Sequence, residues 1–133
     1  MKLSRLMVVA GALCASAAFS QSANPNDGNW EVTIPYPSRP ISADLSIAGD
    51  AGTFRSHGGG SRSNANTGCG GKDTPITVLT STSDELKFTI HYSRVLEGCR
   101  DVTFDALRAD NGTFKGQWPD TRAGAFDATI KKR

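Results

Sequence analysis

The sequence predicts a small all-β domain: one antiparallel meander of eight strands, closed as a barrel or as a β-sandwich, and carrying one disulfide. Three observations predict it. Apolar and polar residues alternate with period two beyond the N-terminal segment; tight-turn signals punctuate that alternation; and two cysteines, Cys69 and Cys99, remain once the N-terminal segment is set aside. No stretch of the same region carries a helical period.

The N-terminal segment has the three-part layout of a secretory signal. Lys2 and Arg5 precede an apolar run from Leu6 to Ala18, and small residues follow at Ala18-Phe19-Ser20 and Ser22-Ala23. The run is too short to span a bilayer. Residues 1–20 are therefore read as a signal peptide, cleaved after Ser20 or Ala23, and 24–133 as one β domain, exported to the periplasm or beyond the cell. Removing Lys2 and Arg5 leaves 13 basic residues against 13 acidic ones, so the chain is not a nucleic-acid binder by charge. An even pair of cysteines in an oxidising compartment reads as a disulfide. Closing a loop with a sequence separation of 30 residues stabilises by about 3–4 kcal/mol in the chain-entropy model.

Strands are expected near 30–34, 42–48, 53–56, 76–82, 86–93, 102–108, 113–118 and 125–131. Trp30, Val32 and Ile34 mark the first, and Leu45 and Ile47 the second. The clearest is the fifth, where Leu86, Phe88, Ile90 and Tyr92 share one face and Lys87, Thr89, His91 and Ser93 the other. Phe114 and Trp118 mark the seventh, and Phe126, Ala128 and Ile130 the eighth.

Gly49-Asp50-Ala51-Gly52, Ser83-Asp84 and Ala109-Asp110-Asn111-Gly112 read as hairpin turns, whereas the connections 35–41, 57–75, 94–101 and 119–124 are longer. In a meander, every connection after an odd-numbered strand lies at the same end, so the four long loops should gather there and the three turns opposite. Cys69 and Cys99 precede the fourth and sixth strands, which places both at the long-loop end, where a disulfide can join them.

The charges sort along the same axis. Arg39, Arg55, Arg62, Lys72, Arg94, Arg100 and Arg122 fall to the long-loop end with Asp73, Glu97, Asp101 and Asp120, while Asp50, Asp84, Glu85 and Asp110 fall to the turn end. Arginines beside Tyr36, Tyr92 and Trp118 suit an anionic glycan, a lipid headgroup or an acidic protein surface, through bidentate pairing and stacking. The candidate ligand-binding set is Tyr36, Arg39, Arg62, Arg94, Arg100, Trp118 and Arg122. Against it stands the reading that these are solvated loop charges, with Tyr92 and Trp118 in the core.

The glycine-rich run Ser56 to Gly71 fails as a phosphate loop: Asn66 stands at the leading glycine position, Asp73 follows Gly71-Lys72, and no helix comes next. Gly59-Gly60-Ser61-Arg62-Ser63 lacks the final glycine of a nucleophile elbow. A mobile binding loop or a slack connector remains. His57 and His91 are the only histidines and form no cluster, so neither metal, cofactor nor catalytic base is expected. Asn111-Gly112-Thr113 formally fits a glycosylation acceptor, but Asn-Gly between two strands reads as the turn. Pro35-Tyr36-Pro37-Ser38-Arg39-Pro40 is a stiff extended segment presenting Tyr36 and Arg39, either a rigid connector or an inhibitor-like loop.

The order of motifs Gly28-Asn29-Trp30-Glu31-Val32, Leu45-Ser46-Ile47-Ala48-Gly49, Cys69-Gly70-Gly71-Lys72-Asp73-Thr74-Pro75-Ile76, Val95-Leu96-Glu97-Gly98-Cys99-Arg100-Asp101 and Phe114-Lys115-Gly116 resembles a group of small exported proteobacterial β-proteins of unknown function, secreted antigens of the Burkholderia type among them. The resemblance spans most of the domain and brings no catalytic residue. The meander is superficially similar to avidins and lipocalins too, without their ligand-binding signatures, and its inward faces rich in Phe, Trp and Ile predict a packed interior. The functional expectation is a non-catalytic envelope or secreted binding protein, recognising an anionic glycan or lipid headgroup at its basic end. An envelope or host protein as partner of an inhibitor-type module is the second reading, and a small hydrolase the third.

Overall fold

A computed structural model describes residues 24–37, 39–57, 69–110, 112–120 and 124–133. Eight strands follow in order: β1 (Gly28–Ile34), β2 (Ile41–Ala48), β3 (Ala51–His57), β4 (Thr74–Ser81), β5 (Glu85–Ile90), β6 (Val102–Asp110), β7 (Thr113–Asp120) and β8 (Gly124–Lys132). Each pairs antiparallel with the next, and β8 returns to β1 from Trp30↔Lys132 to Thr33↔Thr129, so the sheet is a closed barrel rather than a sandwich. The disulfide joins Cys69 to Cys99 across the long-loop end, with Cα atoms 5.7 Å apart.

Alternation fills the interior. Val32, Leu45, Phe54, Leu86, Phe88, Ile90, Phe104, Phe114 and Ile130 are almost wholly buried, with Trp30 and Trp118 close behind. The rings touch in sequence around the barrel: Phe88 to Phe104 at 5.8 Å, Phe104 to Trp118 at 5.3 Å, Trp118 to Phe54 at 5.7 Å and Phe54 to Tyr92 at 6.5 Å between centroids. Two glycines let the sheet curl this tightly. A Cβ on Gly52 would lie 1.9 Å from Ser46 O, and one on Gly116 2.1 Å from Asp105 O. The outer face carries Glu31, Asp44, Arg55, Lys87, Asp105, Lys115 and Asp127, with Leu79 and Leu107 as large apolar exceptions among the described residues. That distribution is the reverse of a membrane-spanning barrel, whose apolar band faces outward. No helix among the described residues is long and apolar enough to cross a membrane.

Most strand ends differ from expectation by one or two residues, and two of the differences reshape loops. The predicted long connection 119–124 shrinks to 121–123, because Pro119 stays in the ladder opposite Ala125 and Asp120 opposite Gly124. Lys132 N–H donates to Gly112 O at 3.0 Å. Alternation from that bond turns the N–H position of Pro119 away from β8, and the β6–β7 register has already ended at Ala106↔Gly116, so the proline forfeits no bond. The long-loop end therefore carries three long connections, not four. Strand β5 ends at Ile90 instead of 93. His91 N–H still reaches Pro75 O at 2.9 Å, after which a 3-10 turn over Tyr92–Arg94 begins. Asp101 captures the Ser93 N–H at 3.0 Å and its hydroxyl at 2.7 Å, a local side-chain bond that competes with strand continuation.

The turn end is closed by residues 24–27, which cross it as a strap. The Asn26 side chain is buried and its Nδ2 donates to Ser81 Oγ at 2.7 Å and Thr82 O at 2.9 Å, while its carbonyl accepts the Trp30 indole N–H at 2.9 Å. Asn24 Nδ2 donates to Gly49 O at 2.6 Å, and Gly49 N–H to Asp27 Oδ1 at 2.8 Å. Replacing Asn26 by Ala leaves Thr82 O without this donor in a part-buried place and removes one of the two bonds of the Ser81 hydroxyl, which still donates to Asn24. It should cost about 1–3 kcal/mol, read as a lower denaturant midpoint at unchanged slope, with a smaller loss for Asn24→Ala.

Candidate functional site

The disulfide brings the described part of the β3–β4 connection and the β5–β6 connection together at the long-loop end, where the β1–β2 connection also lies. Cys99 is buried and Cys69 half-buried, and their bridge ties the start of the β4 approach, with Lys72, to the β5–β6 loop, with Arg94 and Arg100. Lys72, Arg94, Arg100 and Arg39 are all exposed. Among the described residues no carboxylate lies within ion-pairing distance of these four cations. The nearby acids are engaged within the protein: Asp73 faces Arg55 at 3.7 Å, and Asp101 holds Ser93 and His91. Glu97 is exposed beside them.

The remaining candidates distribute unevenly. Tyr36 is half-buried, its ring 4.7 Å from Phe126, so it lies down on the barrel mouth instead of standing out from the stiff proline segment. Trp118 is only 6% exposed and sandwiched by Phe54 and Phe104, which corrects its placement on the ligand-facing rim: the alternation that makes β7 a strand points it inward. Tyr92 packs inward as well, and burial pushes its phenol upward from its usual range, with Tyr36 nearby adding to the shift. Arg62 and Arg122 lie outside the described residues, as does most of the glycine-rich run; its ends meet where Gly71 N–H donates to Ser56 Oγ at 3.0 Å.

Two arrangements were not foreseen from the sequence. The first joins β4 and the two ends of the β5–β6 connection. Thr77 Oγ1 lies 2.7 Å from His91 Nε2, and His91 Nδ1 lies 3.3 Å from Asp101 Oδ2. With Nδ1–H donating to the carboxylate, Nε2 accepts from the threonine hydroxyl. The order hydroxyl, imidazole, carboxylate is that of a nucleophilic relay, yet Asp101 is also the staple that shapes the 3-10 turn, and His91 is only 14% exposed. The network orders the base of the loop that carries Arg94 and Arg100.

The second is a cleft of about 730 Å³ on the outer wall of β1, β2 and β3. Its centre is Asp44, hydrogen-bonded to His57 on one oxygen, with Arg133 Nη2 2.6 Å from the other and Arg133 Nε 3.8 Å from Glu31. Glu31, Asp44 and Arg55 stand directly opposite one another on neighbouring strands, so the pairing is set by register and not by sequence proximity. Arg55 thus belongs to this wall.

No family model, no curated protein and no solved structure matches the chain.

Both organising carboxylates are held below the ordinary aspartate value of 3.8: Asp44 by the His57 hydrogen bond foremost, then by His57 and Arg133 charge, and Asp101 by the Ser93 hydroxyl foremost, then the Ser93 N–H and His91. Depressed native values mean that their stabilisation is complete above the unfolded value and is lost as pH falls through the native one. A melting-temperature profile from pH 7 to 2 should fall steeply only below about pH 4. Asp101→Asn should lower the plateau at neutral pH and reduce the acid-side slope, with side-chain carboxyl NMR reporting the two aspartates separately.

Proposed function

We propose that this protein is an exported, non-catalytic binding module, and that its basic corner of Lys72, Arg94 and Arg100 holds an anionic group borne by an envelope glycan or a lipid headgroup. The observation that carries the reading is the division of charge at the long-loop end. Asp73 and Asp101 are spent on Arg55, Ser93 and His91, while three cations around the Cys69–Cys99 bridge point to solvent with no acidic partner among the described residues. Guanidinium groups so placed suit the fork geometry of carboxylate and phosphate oxygens. Arg39 extends the corner from the adjacent β1–β2 connection.

The disulfide and the predicted signal segment support export. A binding role is favoured over hydrolysis because the Thr77, His91 and Asp101 groups satisfy one another and anchor the loop. The inhibitor-type reading keeps Arg39 as a presented side chain but has Tyr36 packed against Phe126.

The test is calorimetric titration of the oxidised domain with an anionic glycan and with vesicles carrying phosphatidylglycerol, each against a neutral counterpart. Binding should weaken steeply with ionic strength. Lys72→Ala, Arg94→Ala and Arg100→Ala together should cost about tenfold or more in affinity without altering the melting temperature. Affinity unchanged by the triple substitution would sink the reading.

A further inference from the structure

We propose that the Cys69–Cys99 bridge is a site of thiol–disulfide exchange, opened at Cys69 by a dithiol partner, and that its opening releases the two segments it ties while the barrel stays closed. Control of the basic corner by this step rests on the binding role proposed above; the exchange itself does not.

The bridge stands apart from what closes and fills the barrel. β8 pairs with β1 to complete the ring, and the inward cluster from Trp30 to Ile130 contains neither cysteine, although Cys99 is buried. Both cysteines sit in connections, Cys69 ahead of β4 at Thr74 and Cys99 ahead of β6 at Val102. A tie so placed orders connections, and the strands keep their registers when it is cut.

The chain beside each cysteine turns at a glycine. Gly71, two residues after Cys69, has φ of 82°, and Gly98, directly before Cys99, has φ of 85°, a left-handed backbone that favours glycine. A Cβ on either would meet nothing within 4 Å, so both places border open space and can absorb a change of backbone angle as hinges do. Other bonds set the limits of the release. On one side Gly71 N–H donates to Ser56 Oγ at 3.0 Å and Thr74 Oγ1 to Lys72 O at 3.0 Å. On the other, Asp101 holds the Ser93 N–H and hydroxyl, while the N–H groups of Val95 and Leu96 reach Tyr92 O at 3.0 and 3.2 Å. The segments released are therefore 69–72 and 97–100, which carry Lys72 and Arg100, and Arg94 keeps its place on the 3-10 turn.

Exposure sets the direction of the chemistry. Cys99 is only 7% exposed and Cys69 is half-buried, so an incoming thiolate reaches Cys69 Sγ. Its attack forms a mixed disulfide at Cys69 and expels Cys99 as the thiolate. The partner's second thiol, as its thiolate, then attacks the partner's own sulfur in the mixed disulfide and releases Cys69. The bridge gains two electrons and two protons, and the partner's dithiol becomes a disulfide.

The experiment exposes the oxidised protein to a small monothiol, cysteamine, quenches with acid and maps the mixed disulfide by peptide mass spectrometry. The adduct should favour Cys69 over Cys99 by about tenfold or more. In parallel, reduction with dithiothreitol is followed by backbone heteronuclear NOE. The NOE should fall at 69–72 and 97–100 and hold at Ser93, Asp101 and the strands, and Cys69→Ser with Cys99→Ser should reproduce the pattern. Affinity for the anionic glycan or vesicle should fall about tenfold on reduction. A protein that binds neither when oxidised sinks the binding role and leaves the exchange to be judged on the adduct and the NOE. An adduct shared equally or carried by Cys99, a bridge that resists dithiothreitol until the protein is denatured, global loss of spectral dispersion on reduction, or an unchanged NOE at 69–72 and 97–100 would overturn the proposal.

Discussion

Closing eight strands on themselves leaves an interior just wide enough to be filled by side chains, and this constraint governs everything else about the molecule. Once Phe54, Phe88, Phe104, Phe114, Trp30 and Trp118 occupy that space, their rings in contact at 5.3 to 5.8 Å, the barrel is a packed core. Similar barrels that hold a ligand inside do so by leaving part of this volume open. Here the chemistry must be on the outside, at the strand ends or across the strand faces. The same closure fixes the close approaches at Gly52 and Gly116, where a side chain would meet a neighbouring carbonyl.

The fold was legible because a period-two pattern states both the strand and its inward face. Leu86, Phe88 and Ile90 are all buried as their spacing requires, and even Tyr92, which the strand does not reach, packs onto Phe54. Loop parity placed Cys69 and Cys99 at one end, and they bridge there. Sequence reasoning erred where a residue's role depends on which neighbour its backbone faces. Pro119 reads as a strand terminator, but its missing N–H points to the side where the ladder has already stopped. The strap of residues 24–27 escaped notice because Asn24, Asn26 and Asp27 look like solvated polar residues until Ser81, Thr82 and Gly49 are brought to them from afar.

The candidate sites were legible only in part, for the same reason. Counting charges by loop assigns several arginines to the long-loop end, but which of them remain available depends on pairing: Arg55 is drawn to Asp73 on the outer wall, while Arg94 and Arg100 are left exposed. Trp118, taken for a stacking platform, is a core ring. The Asp44–His57–Arg133 cluster joins residues from three parts of the chain, with sequence separations of 13 and more, and nothing short of the strand register announces it. The one signal that could have found it is positional: Asp44 and Arg55 count equally far from the β2–β3 turn and so face each other.

The two ends of the barrel solve different problems with polar groups. At the turn end, Asn26 is buried and its side chain and carbonyl lock the strap to Ser81, Thr82 and Trp30, so that end spends its polarity on stability. At the long-loop end, Asp101 stays 40% exposed and organises the chain locally, fixing the turn that carries Arg94 and the approach to Arg100 without burying a charge. The bridge from Cys69 to Cys99 supplies there the order that hydrophobic packing supplies elsewhere. A loop end ordered by a covalent tie and one carboxylate can vary its remaining exposed residues with little cost to the core, because surface positions away from such ties contribute within about 0.5 kcal/mol of stability. The arginines at this end are thus placed where substitution alters the surface with little cost to folding.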